Sequence, residues 1–212
     1  MTTAKDILII IQCCKSKNPV ELYPDHTHNL YKQIPKTKNI LENAVKHFTK
    51  EGVINVKSKL VTALSLYTGY FYSVDGLKEK IVEEILNGRY DFLIMSAGYG
   101  FVHPFQRIHD YDQLMKDKIT NYWLNNGLPT VLSEYVENGQ FQYVYGFFSK
   151  TADYRRIFEK VEWGDARRLR EAGFFYVEGI KGAGNILRSQ AEFMLKQIEE
   201  GFKNKPVNDE AF

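Results

Sequence analysis

The stretch Asp6-Ile7-Leu8-Ile9-Ile10-Ile11-Gln12 constrains this chain more than any other. A near-continuous branched apolar run after a short polar start has no polar face to turn to water. It therefore predicts a strand covered on both sides, as at the centre of a parallel sheet. Phe92-Leu93-Ile94-Met95 repeats the pattern, and Phe141 to Ser149 and Gly173 to Gly179 predict two more strands. Val56 to Tyr67, with Leu60, Val61, Ala63, Leu64 and Leu66, predicts a fifth.

Helical spacing fills the intervals. Ile40, Leu41, Ala44, Val45 and Phe48 share one face and Gly52 closes that helix. Asp75 is placed to cap a second, whose Leu77, Ile81, Val82, Ile85 and Leu86 run to a stop at Asn87-Gly88. Ile119 to Asn138 predicts helix broken at Gly127-Leu128-Pro129, Thr151-Ala152-Asp153 opens another, and Leu187, Ala191, Met194, Leu195 and Ile198 mark the last. Strands alternating with helices predict the α/β class: an open, mostly parallel five-stranded sheet with helices on both faces, a Rossmann-like three-layer sandwich. No Pro/Gly/Ser-rich linker divides the 212 residues, so residues 1–202 are expected to be one domain and 203–212 a polar tail.

Composition narrows the function classes. A net charge of +2 makes the chain no polycation, so any nucleic-acid contact must come from a local patch. The 14 Tyr and 14 Phe leave aromatic surface for stacking on ligand rings. Cys13 and Cys14 are adjacent, poorly placed for a structural disulfide and without a second pair to complete a metal site. His26 and His28 lie in an aperiodic excursion from Glu21 to Thr37 with no third convergent ligand, so no metal and no cofactor is expected. No secretory signal opens the chain and no apolar run reaches membrane-spanning length; a cytoplasmic protein without membrane contact is the expectation.

Open α/β sheets bind ligands beyond the carboxyl ends of their strands, and four stretches fall there. Cys13 to Lys17 brings the cations Lys15 and Lys17, which suit an anion and would favour a thiolate on an exposed neighbouring cysteine. Tyr67 to Phe71 is small and aromatic, with Gly69 at its middle. Ser96 to Asp112 crowds His103, Arg107, His109, Asp110 and Asp112 into one loop, more titratable groups than a plain turn needs. Gly182-Ala183-Gly184 leads into a helix N-terminus, where backbone amides hold an anion or where glycines simply allow tight packing. Tyr154, Arg155 and Arg156, just past a strand end, are either a phosphate clamp or an exposed helix turn.

Three of these stretches carry a resemblance. Cys13-x-Lys15-x-Lys17, Leu66-Tyr67-Thr68-Gly69 and Ser96-Ala97-x-Tyr99-Gly100-Phe101-Val102-x-Pro104 with Tyr111-Asp112 resemble the bacterial and phage domain family known as YaaA-like peroxide-stress proteins, over about the first half of the chain. Gly98 stands where lysine is common in that motif. The resemblance implies an intracellular role touching nucleic acid or its oxidative protection, and a fold neighbourhood of base or nucleotide chemistry.

The leading expectation is therefore an enzyme acting on a nucleotide or nucleic-acid base, at or near an N-glycosidic bond or a modified base. Its ligand would be held by Cys13, Lys15, Lys17, Tyr67, Gly69, Gly100, Gly182 and Gly184. Its chemistry would fall to Asp112, Tyr99, Ser96 and His103: Asp112 as acid, base or oxocarbenium stabiliser, His103 in proton transfer, Tyr99 stacked on the base. A non-catalytic DNA- or RNA-binding protein using Arg167, Arg168 and Arg170 with the lysines is the alternative. An enzyme for a small phosphorylated metabolite is a third.

Overall fold

The computed structural model describes residues 6–23, 30–149, 153–164, 166–203 and 206. Its centre is the apolar run: β1 (Ile7–Gln12) has Leu8 to Ile11 entirely removed from solvent. In chain order follow α1 (Leu30–Gln33), α2 (Lys38–Lys50), β2 (Val61–Thr62), α3 (Ala63–Leu66), α4 (Leu77–Leu86), β3 (Tyr90–Ser96) and β4 (Gly100–Val102). Then come β5 (Arg107–Ile108), α5 (Asp117–Asn125), α6 (Leu128–Gly139), β6 (Tyr143–Phe147), α7 (Asp153–Phe158), β7 (Glu171–Phe175) and α8 (Ala183–Glu200).

The sheet order is β4-β3-β1-β6-β7. β1 runs parallel to β3 and β6, β7 runs parallel to β6, and only β4 is antiparallel to its neighbour. α4 and α8 pack together against β3 and β6, while α2, α5, α6 and α7 form a second helical layer. The result is the expected α/β sandwich with a five-stranded, mostly parallel sheet. The second layer buries Trp123 and Tyr135 and the sheet buries Phe92, each contributing about 1.5–3 kcal/mol or more by leaving water.

One expected strand is not in this sheet. Val56 to Tyr67 was expected as a sheet strand, but only Val61–Thr62 is extended, pairing with β5 in a separate two-stranded ribbon, and Ala63–Leu66 coils into a helical turn. A fully buried apolar run has no periodicity to separate strand from helix, which is why the sequence pattern misled. The fifth strand is instead β4, which folds back from β3 through Ala97 to Tyr99. Asp75 does not cap α4; Gly76 occupies that position with φ 75° and no side-chain cap bond forms. The break between α5 and α6 is real, with Gly127 at φ 80° and Pro129 in the first turn of α6.

Among the described residues no helix is long and apolar enough to cross a membrane. His26, His28, Thr151, Ala152 and nearly all of the 203–212 tail lie outside the described residues.

Candidate hydroxyl-lined site at the carboxyl edge

Where β1 ends, the Cys13 amide still donates to the Met95 carbonyl at 3.0 Å, and the chain then bends away from the sheet. The segment after α3 lies alongside it. Lys17 bridges Tyr67, the Thr68 amide donates to the Ser16 carbonyl at 3.0 Å, and the Asn18 amide donates to the Leu66 carbonyl at 2.8 Å. Gly69 is required by this approach: a Cβ there would fall 2.8 Å from the Cys14 Cβ. Its amide donates to the Cys14 Sγ at 3.2 Å.

Below this layer three hydroxyls close on one another. Tyr67 donates to Ser96 at 3.2 Å, Ser96 donates to Tyr111 at 3.0 Å, and the two phenol oxygens are 2.9 Å apart. With Tyr111 donating to Tyr67, each hydroxyl donates once and accepts once, so the buried polar groups are satisfied by one another. The Tyr99 amide adds a donor to Ser96 Oγ at 3.2 Å. Cys13 borders the cluster, its Sγ 3.2 Å from the Tyr154 hydroxyl, and Tyr72 reaches the Gln12 carbonyl at 2.7 Å. Burial first, then the neighbouring Cys13, pushes Tyr67, Tyr111 and Tyr154 well above the ordinary phenol range. They are neutral O–H groups, suited to hydrogen bonding rather than to accepting protons. Lys17 closes the top, its Nζ 4.0 Å from the Tyr111 ring centroid in a cation–π contact.

Of the expected ligand-holding residues, Cys13, Lys17, Tyr67 and Gly69 meet here, and Lys15 is exposed beside them. Gly182 and Gly184 arrive at the outer rim rather than at the cluster. A Cβ on Gly184 would stand 3.0 Å from the Tyr70 ring, so glycine there serves close packing against a ring that is itself 55% exposed. Arg188 of α8 lies over that same ring at 5.4 Å. Gly100 belongs to β4, where a side chain would run into Leu41 and Leu128; packing, not a ligand, accounts for it.

The expected catalytic set is divided. Ser96 sits in the cluster with no exposed surface. Tyr99 is 7% exposed and its hydroxyl exchanges hydrogen bonds with the His109 backbone, leaving no open face for a base. Asp112 is exposed and, following the inward Tyr111, turns toward solvent. His103 lies elsewhere: it follows β4 back toward the start of the strands, where its Nε2 is 3.3 Å from Asp91 Oδ1. Asp91 also accepts from the Tyr135 hydroxyl at 2.9 Å and the Phe92 amide at 3.0 Å. That group is a buried structural knot at the amino end of the sheet, so His103 faces no common pocket with Asp112.

Lysine proximity does not activate Cys14. Burial dominates and pushes its pKa up to about 11, so the group stays a thiol at neutral pH, donating to the Ser16 carbonyl at 3.0 Å. The arginines of α7 are engaged rather than open: Arg156 bonds Asp117 and Asp153 at 2.8 and 3.0 Å and Asn121 at 2.9 Å, and Arg155 pairs with Glu159 over the Phe174 ring. Tyr154 turns inward to Cys13. Among the described residues no group of three or more His, Cys, Asp or Glu side chains is placed to hold a metal ion.

In the sequence Tyr111 stands out only within the crowded loop and its motif, Tyr70 only within the aromatic stretch Tyr67 to Phe71, and Tyr72 not at all. The alternation around Asp112 was the available signal for Tyr111, because a buried neighbour on an extended segment points the opposite way. No family model matches the chain, and no curated protein matches its sequence.

Proposed function

We propose that the carboxyl edge of the sheet binds a nucleotide, free or within a nucleic acid, and that the protein acts at its base or N-glycosidic bond. The observation that carries this reading is the rim above the hydroxyl cluster. There Lys15 and Lys17, two cations from the end of β1, share an edge with the exposed Tyr70 ring beside the N-terminus of α8. Cations and an open ring at one edge are what a phosphate and a base need. The resemblance to YaaA-like proteins supports the same direction. Asp112, the exposed carboxylate of the loop, is the group assigned to the chemistry; Ser96 and Tyr99 hold the wall, and His103 takes no direct part.

Incubation with nucleosides, nucleotides and single- and double-stranded DNA, followed by mass spectrometry and thermal unfolding, tests the proposal. Stabilisation by nucleotides that is lost in Lys15→Met/Lys17→Met, with base release abolished in Asp112→Asn, is the expected result. Salt-sensitive stabilisation by DNA with no product would favour the non-catalytic binding role. Neither binding nor product from any of these ligands would end the nucleotide reading.

A further inference from the structure

The first residues of three neighbouring strands lie in one row at the amino end of the sheet: Ile7 of β1 pairs with Tyr143 of β6, and Tyr143 pairs with Glu171 of β7. Partners in register point to the same face, so these side chains form a short floor beneath the end of α8, with Tyr145 in the next row. The roof is the chain that leaves the helix. Gly201 ends α8 at φ 69°, the Phe202 amide donates back to the Gln197 carbonyl at 2.8 Å, and Phe202 itself takes φ 56°, a left-handed conformation uncommon for a residue with a Cβ. That bend folds the Phe202 ring onto Tyr145 at 4.7 Å and sets it edge-on to Tyr90 at 5.6 Å. Between floor and roof is a cleft of about 390 Å³, which Lys203 also lines.

Two opposite charges line this cleft without meeting. Glu171 on the floor is half-buried and Lys203 on the roof is exposed, and neither forms an ion pair among the described residues. Glu171 faces the Tyr145 hydroxyl, which burial first and then this carboxylate push above the ordinary phenol range. The surrounding charges are engaged elsewhere or lie outside the cleft. Asp6 accepts from Gln142 at 2.6 Å, Lys80 and Arg89 pair with Glu83 and Glu84, and Arg170, exposed ahead of β7, does not line the cleft.

We propose that this cleft binds a free aromatic amino acid, its ring packed against Tyr143 and Phe202, its ammonium on Glu171 and its carboxylate on Lys203. A lone cation or a lone anion satisfies one wall and leaves the opposite charge unanswered; a zwitterion answers both. The half-buried rings of Tyr143 and Phe202 favour an aromatic over an aliphatic side chain, and the volume is at the small end of ligand pockets, enough for one amino acid. The cleft lies at the amino end of the sheet, opposite the rim assigned to the nucleotide, so the inference does not depend on that reading.

Amide-resolved NMR titration of the full chain with L-phenylalanine is the test, with phenylethylamine, phenylpropanoate and L-alanine as arms that each lack one recognised group. Saturable movement of the Tyr143, Glu171, Phe202 and Lys203 amides is expected with L-phenylalanine, and binding weaker by about tenfold or more for each of the other three. Glu171→Gln and Lys203→Met should each weaken L-phenylalanine by about tenfold, and Lys15→Met/Lys17→Met should leave it unchanged. These amides unmoved by millimolar L-phenylalanine, L-alanine or either single-charge analogue bound equally well, or Lys203→Met without effect would overturn the site. Because the shifts are read on the wild-type chain and Lys203 is exposed, the outcome stands even where Glu171→Gln does not fold.

Discussion

The Tyr111 hydroxyl lies 2.9 Å from the Tyr67 hydroxyl across 44 residues of sequence, and both meet Ser96 at the end of β3. Three distant stretches are thereby fastened at one buried point.

Removing one member leaves the others short of a partner. Tyr111→Phe should cost about 1–3 kcal/mol in urea unfolding, because two buried hydroxyls lose a hydrogen bond while the ring still fills its space. The double change Tyr67→Phe/Tyr111→Phe should cost less than the sum of the single changes, since the groups act as one network. Strict additivity would show that the hydroxyls do not form a closed set.

Gly98 is held to glycine by Tyr111. A Cβ at this position would lie 2.8 Å from the Tyr111 ring, so Gly98→Ala should destabilise by about 1–3 kcal/mol through overpacking. The penalty should largely vanish in a Tyr111→Ala background, and thermal unfolding of the four proteins measures it.

Cys14 should be a slow nucleophile. Burial raises its pKa from 9.0 to about 11, which lowers the thiolate fraction at neutral pH by about 100-fold. Alkylation followed by mass spectrometry should run correspondingly slower in the folded than in the unfolded protein and accelerate as pH rises. Labelling as fast as for a free thiol would show that the Gly69–Cys14 contact opens readily.

Glu21 should contribute stability that depends on pH. Burial works to raise its pKa, but hydrogen bonds from Thr62 and Ser65, with the charge of Arg107, outweigh it and hold the folded value below 4.5. A group depressed in the folded state stabilises above its unfolded pKa and ceases to as pH falls through its folded one. Glu21→Gln should therefore be less stable than wild type at pH 7, and the two unfolding curves should converge as the medium is acidified below about pH 4. A constant difference across that window would locate the effect of Glu21 in packing.

The layered class was legible because Ile7 to Ile11 and Phe92 to Met95 bury both faces, a pattern that few other architectures accept. The stretches Cys13 to Lys17 and Tyr67 to Phe71 do meet, Lys17 bridging Tyr67, although the second follows a helical turn and not the end of a sheet strand. The role of Leu64 and Leu66 was not legible, since a short buried run reads alike as strand or helical turn. His103 was misplaced for a topological reason. Nothing in its spacing from Ser96 reveals that β4 doubles back and carries it toward Asp91.

The segment from Ala97 to Asp110 is fastened along its length: the Leu64 and Ala63 amides hold the Pro104 and Gln106 carbonyls, and the Asn55 amide holds that of Asp110. It is a fixed wall, not a lid. A ligand settling against it would find its shape already formed, so recognition there loses little freedom and the same rigidity sets a narrow limit on which shapes can be accepted.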